Sequence, residues 1–167
     1  ETGQIKMQFE NIDLNKLTEE VFEQFERKAA KKTIVLEVDA PNVVFAYADY
    51  QRVTQVLTNL VSNAINYSFE GGNVKVRLEQ TKKYAVVRVE DQGEGIPPEH
   101  KGRIFERFYR VDKSRSREKG GTGLGLAIVK HILDGHNTRA EVESSPGKGS
   151  IFSFKLPRFK PEDEKSD

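Results

Sequence analysis

The sequence predicts an α+β domain, and three observations carry that prediction. Residues 74–78 and 85–89 alternate apolar with polar side chains on either side of a short polar turn, as the two arms of a β-hairpin do. Residues 140–142 and 152–156 repeat the pattern around SPGKG. Three further segments, beginning near Leu14, Asp49 and Leu126, space their apolar residues as helices do.

Length and composition bound the function. A chain of 167 residues makes one domain with a sizeable core. Lys and Arg total 27 against 26 for Asp and Glu, so no global field recruits nucleic acid. There is no cysteine, which excludes disulfides and thiolate metal sites and fits a reducing compartment. No apolar run approaches the ~18 residues of a membrane span, no signal peptide is visible, and the first residue is Glu1, as expected of an excised piece of a longer protein.

Taken in order, residues 1–8 are polar and read as a frayed lead-in. Asp13 is placed to cap a helix running to about Lys31, with Leu14, Leu17, Val21 and Phe25 on its apolar face. Residues 33–38 (TIVLEV) and 43–46 read as strands. Asp49 caps a long helix that contains 57–68 (LTNLVSNAINYS), and Gly71-Gly72 close that region. In that helix Asn59, Asn63 and Asn66 fall on one stripe, apart from the apolar stripe of Leu57, Leu60, Val61, Ala64 and Ile65. Asn is a poor helix former, so three on one face need a reason. Two remain open: a solvated face, or neutral oxygens aimed at a hard cation such as Mg²⁺.

The parity of the first hairpin puts Asp91 on the same face as Val87 and Val89, the face that should be covered, unless Asp91 has already left the strand to cap the next turn. Gly93 and Gly95 follow, and glycines allow close backbone approach or positive φ. Pro97-Pro98 open a short helix, and IFERFYR (104–110) mixes aromatics with two arginines. Residues 111–119 read as a mobile loop. GGTGLGL (120–126) leads into the third helix, and a glycine-rich loop before a helix N-terminus suits an anion. It matches neither the dinucleotide fingerprint, which needs glycine where Leu126 stands, nor the P-loop. His100, His131 and His136 have no metal-ligand spacing and read as structural or solvated, the first and last in polar surroundings near helix ends.

Together these strings resemble the ATP-binding catalytic domain of bacterial sensor histidine kinases. NLVSNAINYS is similar to the asparagine box of that family, DQGEGI to its first glycine box and IFERFYRVD to its phenylalanine box. GGTGLGLAIVKHIL is similar to the second glycine box, and SSPGKGSIFSFKLP to the closing strand pair. The resemblance covers residues 11–157, leaving 1–10 as lead-in and 158–167 as a charged, disordered tail. It implies the Bergerat ATP-binding fold: a two-layer sandwich whose mixed, mostly antiparallel sheet carries its helices on one face. It implies ATP and Mg²⁺, with Asn59 and Asn63 at the metal and phosphates, Tyr67 beside the adenine, Asp91 accepting from the adenine amine, and Gly93, Gly95 and Ile96 lining the base. Arg107 would approach the phosphates, Asn63 and Arg107 would be the catalytic pair, and Tyr109 and Lys113 would join the pocket. Gly121, Thr122, Gly123, Leu124, Gly125 and Leu126 would form the phosphate end, with 111–121 as a lid.

Two positions depart from the family pattern: Asn66 stands where lysine is usual, and Asn137-Thr138 where Gly-Gly is usual. The resemblance also implies a phosphoacceptor histidine on a separate dimerisation domain, because none of the three histidines here has the acceptor's sequence context, and a response regulator downstream. The isolated domain would be a monomer and its parent a membrane-attached homodimer with this part in the cytoplasm. The alternatives are a chaperone-, gyrase- or mismatch-repair-type ATPase of the same superfamily, or an ATP sensor without transfer activity.

Overall fold

The computed structural model describes residues 6–109 and 125–161. The chain runs β1 (Phe9–Asp13), α1 (Leu14–Lys31), β2 (Val35–Asp39), β3 (Phe45–Asp49), α2 (Tyr50–Tyr67), β4 (Asn73–Gln80), β5 (Tyr84–Asp91), α3 (Gly125–Gly135), β6 (Glu141–Ser144) and β7 (Ser150–Pro157). Five strands form one sheet in the order β2-β4-β5-β7-β6. Among the described strands only the β2–β4 pair is parallel, so the sheet is mixed and mostly antiparallel.

One sheet face carries Val74, Val76, Leu78, Ala85, Val87, Val89, Phe152, Phe154 and Leu156, all buried against the helices. Its other face carries ion pairs, among them Arg77 with Asp39 and Glu90, and Arg88 with Glu79. This is the two-layer arrangement that alternating strands and amphipathic helices require. From α2 the layer between sheet and helices takes Val53, Val56, Leu57, Leu60, Val61, Ala64 and Ile65.

Both predicted helix caps are made. Asp13 accepts from the Lys16 N–H at 3.1 Å and Asp49 from the Arg52 N–H at 3.0 Å. The strands differ more from expectation. Thr33 takes φ +55° on leaving α1, so β2 begins at Val35 and not at residue 33. β3 starts two residues late and runs on to Asp49. Its partner β1 is a strand that the sequence pattern does not announce, and it uses the last two residues of the lead-in, Phe9 and Glu10. Pro98–His100 is a 3-10 turn, shorter than the helix expected there. The tail is anchored at its start, where the Arg158 N–H donates to the Lys83 carbonyl at 2.9 Å.

Two side chains tie helix ends to one another. The Lys32 ammonium donates to the carbonyls of Ile65, Asn66 and Ser68 at 2.8, 3.2 and 2.8 Å, closing the C-terminus of α2. His136, which is buried and so structural and not solvated, donates from Nδ1 to the Ile132 carbonyl and accepts the Asp49 N–H on Nε2.

A cation on three helix-end carbonyls answers both the unpaired acceptors and the helix dipole. Lys32→Met keeps the stem and removes the charge. It should cost about 1–2 kcal/mol in urea unfolding, and an unchanged midpoint would show that water serves those carbonyls equally well.

Candidate functional site

Asp91 is the last residue of β5, and its strand register decides where its carboxylate lies. It stands opposite Val74 on β4 and Ser150 on β7, and Ser150 stands opposite Ser144 on β6. Cross-strand partners share a face, and Val74 is fully buried, so this row lies on the covered face, as the alternation predicts. Asp91 Oδ1 accepts the Ser150 N–H at 3.2 Å, and the Gly93 N–H also bonds the carboxylate. Burial pushes its pKa up to about 6, and the two N–H bonds only partly oppose that rise.

The loop after Asp91 is clamped on both sides. A Cβ on Gly93 would lie 2.0 Å from the Tyr67 carbonyl oxygen, so only glycine permits this meeting of loop and helix end. Ser68 and Gly93 bridge, and the Phe69 N–H donates to the Gln92 carbonyl at 2.9 Å. Gly95 has φ +75°, and a Cβ there would meet the Ser145 carbonyl oxygen at 1.9 Å. The β6–β7 turn closes the other side: Gly147 N–H donates to the Glu94 carbonyl, Gly149 N–H to the Gly93 carbonyl, and Ile96 N–H to Ser144 Oγ. Tyr67, Asp91, Gly93, Gly95 and Ile96 are thus brought together around one seam.

The asparagine stripe lies half-buried on α2. Asn59 uses its Nδ2 to donate to the Gly125 carbonyl at 3.3 Å, which joins α2 to the start of α3 and leaves Oδ1 without a hydrogen bond to a described residue. Among the described residues the Asn63 amide makes no hydrogen bond and Asn66 engages through its backbone carbonyl. Neutral amide oxygens with open lone pairs suit a hard cation that takes the rest of its ligands from phosphates and water. Among the described residues no cluster of His, Cys, Asp and Glu offers a competing metal site.

Other expected residues lie apart from this group. Arg107 is exposed, with its guanidinium 5.8 Å from the Phe108 ring centroid and no ion pair to a described residue. The Tyr109 hydroxyl is hydrogen-bonded to His100 Nδ1, and the Arg103 guanidinium sits 4.5 Å from its ring. Leu126 packs half-buried against the core. Lys113, Gly121, Thr122, Gly123, Leu124 and the expected lid at 111–121 lie outside the described residues, as does most of the tail, 162–167. An open groove of about 640 Å³ lies on the other sheet face, between Arg88, Ser153 and the Asn137–Arg139 segment, and touches none of the expected site residues.

The sequence reading passed over Ser144 and Ser150. Their signal was available as parity: Ser150 lies two residues before Phe152 and so shares its inner face.

Comparison with known proteins shows what the domain as a whole is similar to. The family described as histidine kinase-, DNA gyrase B-, and HSP90-like ATPase matches residues 48–160. The sensor histidine kinase RppB of Synechocystis sp. is 42% identical over 147 residues, which span 87% of this chain and 32% of RppB. This chain therefore corresponds to about a third of that relative. The nucleotide-free catalytic domain of histidine kinase ThkA superposes with a TM-score of 0.80 at 35% identity, over 91% of this chain and 97% of that one. A structure of ThkA in complex with the response regulator protein TrrA aligns at a TM-score of 0.76 and 33% identity, over 90% of this chain and 42% of that one.

The raised pKa of Asp91 has a sign that can be tested. A carboxyl whose folded value lies above its unfolded value contributes stability below about pH 4, and that contribution is lost as pH rises through about 6. The thermal midpoint of the wild type, measured relative to Asp91→Asn, should therefore fall between pH 4 and 7. A difference that stays constant across that range would place Asp91 in a solvated setting.

Proposed function

The chain belongs to the histidine kinase-, DNA gyrase B- and HSP90-like ATPase family, and from that premise we propose that it is the nucleotide-holding half of a protein histidine kinase. In this reading it binds Mg·ATP and delivers the γ-phosphoryl group to a histidine on a separate dimerisation domain, from which a response regulator receives it. The catalytic unit spans residues 11–157, monomeric by itself, in a parent homodimer attached to a membrane from the cytoplasmic side. No helix among the described residues is long and apolar enough to cross a membrane.

The observation that carries the adenine end is the Asp91 carboxylate on a covered sheet face, supported among the described residues by two backbone N–H groups. A charge held there gains from a further neutral donor, and the exocyclic amine of adenine is one. Gly93, Gly95 and Ile96 line the flat base, and Tyr67 flanks it. Asn59 Oδ1 and the Asn63 amide would hold Mg²⁺, which when bound neutralises charge on the phosphates. Arg107, Tyr109, Lys113 and residues 121–126 complete the phosphate end. Phosphoryl transfer asks the protein mainly for positioning and charge complementarity, so no side chain here has to act as nucleophile.

Ring chemistry bears on two of the three histidines. Both ring nitrogens of His136 are committed to backbone groups, and His100 Nδ1 is engaged by Tyr109. Incubating this chain with γ-labelled ATP and the parent's dimerisation domain should place acid-labile label on that domain alone. Label on this chain by itself would overturn the division of labour. Release of free phosphate without label transfer would assign the chain to the hydrolysing branch of the family.

Asn63→Ala should weaken Mg²⁺-dependent ATP binding about tenfold to a hundredfold, the range for losing a bond to a charged partner. It should leave circular dichroism unchanged, since no described residue relies on that amide. Equal titrations with and without Mg²⁺ would return the asparagine stripe to a solvated face.

A further inference from the structure

The row that carries Asp91 ends on a hydroxyl whose three contacts leave no freedom in where its proton goes. Ser144 Oγ lies 2.7 Å from the Ile96 nitrogen, 2.9 Å from the Gly149 carbonyl oxygen and 2.8 Å from Ser150 Oγ. A hydroxyl has one proton to give and two lone pairs to receive with. A backbone N–H only donates and a carbonyl only accepts. The Ser144 proton must therefore go to Gly149, and its lone pairs take the Ile96 N–H and the Ser150 O–H. The Ser150 proton is thereby committed, and Ser150 Oγ keeps only acceptor capacity. Ser150 stands directly beside Asp91 in the row, and its N–H is already given to Asp91 Oδ1.

We propose that Ser144 is a specificity-determining positioning residue for the nucleotide base. Its hydroxyl ties the 92–96 loop to the β6–β7 turn and fixes Ser150 as an acceptor. The Asp91 end of the pocket then presents acceptors alone. The exocyclic amine of adenine, with two N–H groups, matches that pattern. The carbonyl that guanine carries at the same ring position has no donor to meet and faces a carboxylate. Discrimination comes from the unpaired and repelled groups that the wrong base leaves behind. Ser144 itself touches neither base in this scheme and acts through Ser150 and Ile96. The inference rests on the reading of Asp91 as the adenine acceptor.

The test is a titration of ATP and GTP against the wild type, Ser144→Ala, Ser144→Thr and Asp91→Asn. Ser144→Ala frees the Ser150 proton to point at the base, so ATP should weaken while GTP holds or tightens. The ATP-over-GTP ratio should narrow by about tenfold, and Ser144→Thr, which keeps the hydroxyl, should restore it. Equal weakening of both nucleotides would mark Ser144 as a structural tie only and overturn the proposal. Should Ser144→Ala fail to fold, Ser150→Ala leaves the ties to Ile96 and Gly149 in place. It should still narrow the ratio, and an unchanged ratio there overturns the proposal as well. Asp91→Asn separates the two levels of argument. If it narrows the ratio and Ser144→Ala does not, only the role of Ser144 falls. If Asp91→Asn weakens both nucleotides equally, the adenine reading falls and this inference with it.

Discussion

A carboxylate on the covered face of a sheet is the constraint that the rest of this site answers. Asp91 cannot be left bare there, since an unpaired charge out of water costs several kcal/mol. It is met by two backbone N–H groups, from Gly93 and Ser150, and among the described residues by no cation. Delivering those N–H groups requires the loop to turn back at Gly93 and the last strand to run alongside. The loop in turn touches the end of α2, where the Tyr67 carbonyl leaves no room for a Cβ. One unfavourable burial thus dictates a glycine, a strand register and the seat of a helix end.

Much of this was legible in the residues. Two alternating hairpins fixed the sheet and its inner face, and the same parity carried Asp91 onto that face. The helix caps at Asp13 and Asp49 followed from side chains that accept backbone N–H groups at helix starts. The family resemblance supplied the ligand, and the family match over residues 48–160 agrees with it.

What escaped the reading did so for physical reasons. β1 is FENID, short and half polar, and it forms because β3 offers an edge to pair with, a tertiary fact. The start of β2 moved because Thr33 adopts a left-handed turn that its residue type does not announce. His136 read as structural or solvated, and only the packing decides between the two: its ring is buried between α3 and the start of α2. Ser144 and Ser150 lie far from Asp91 in sequence, and their meeting depends on the register of β5, β7 and β6 together. No local pattern encodes a register across three strands.

The two ends of α3 bear on more than packing. At its start the Gly125 carbonyl receives the Asn59 amide from the middle of α2. At its far end His136 receives the Asp49 N–H that begins α2 and lies edge-on to Phe9. Eleven residues of helix, about 16 Å long, are thus riveted to α2 at two places. Two rods joined at two points form a braced frame, which resists shear where a single joint would let them pivot. The asparagines stand on one rod of that frame, so their spacing is set before any ligand arrives. A cation or phosphate meeting them finds the entropy of ordering already lost in folding, and more of the contact energy remains as affinity.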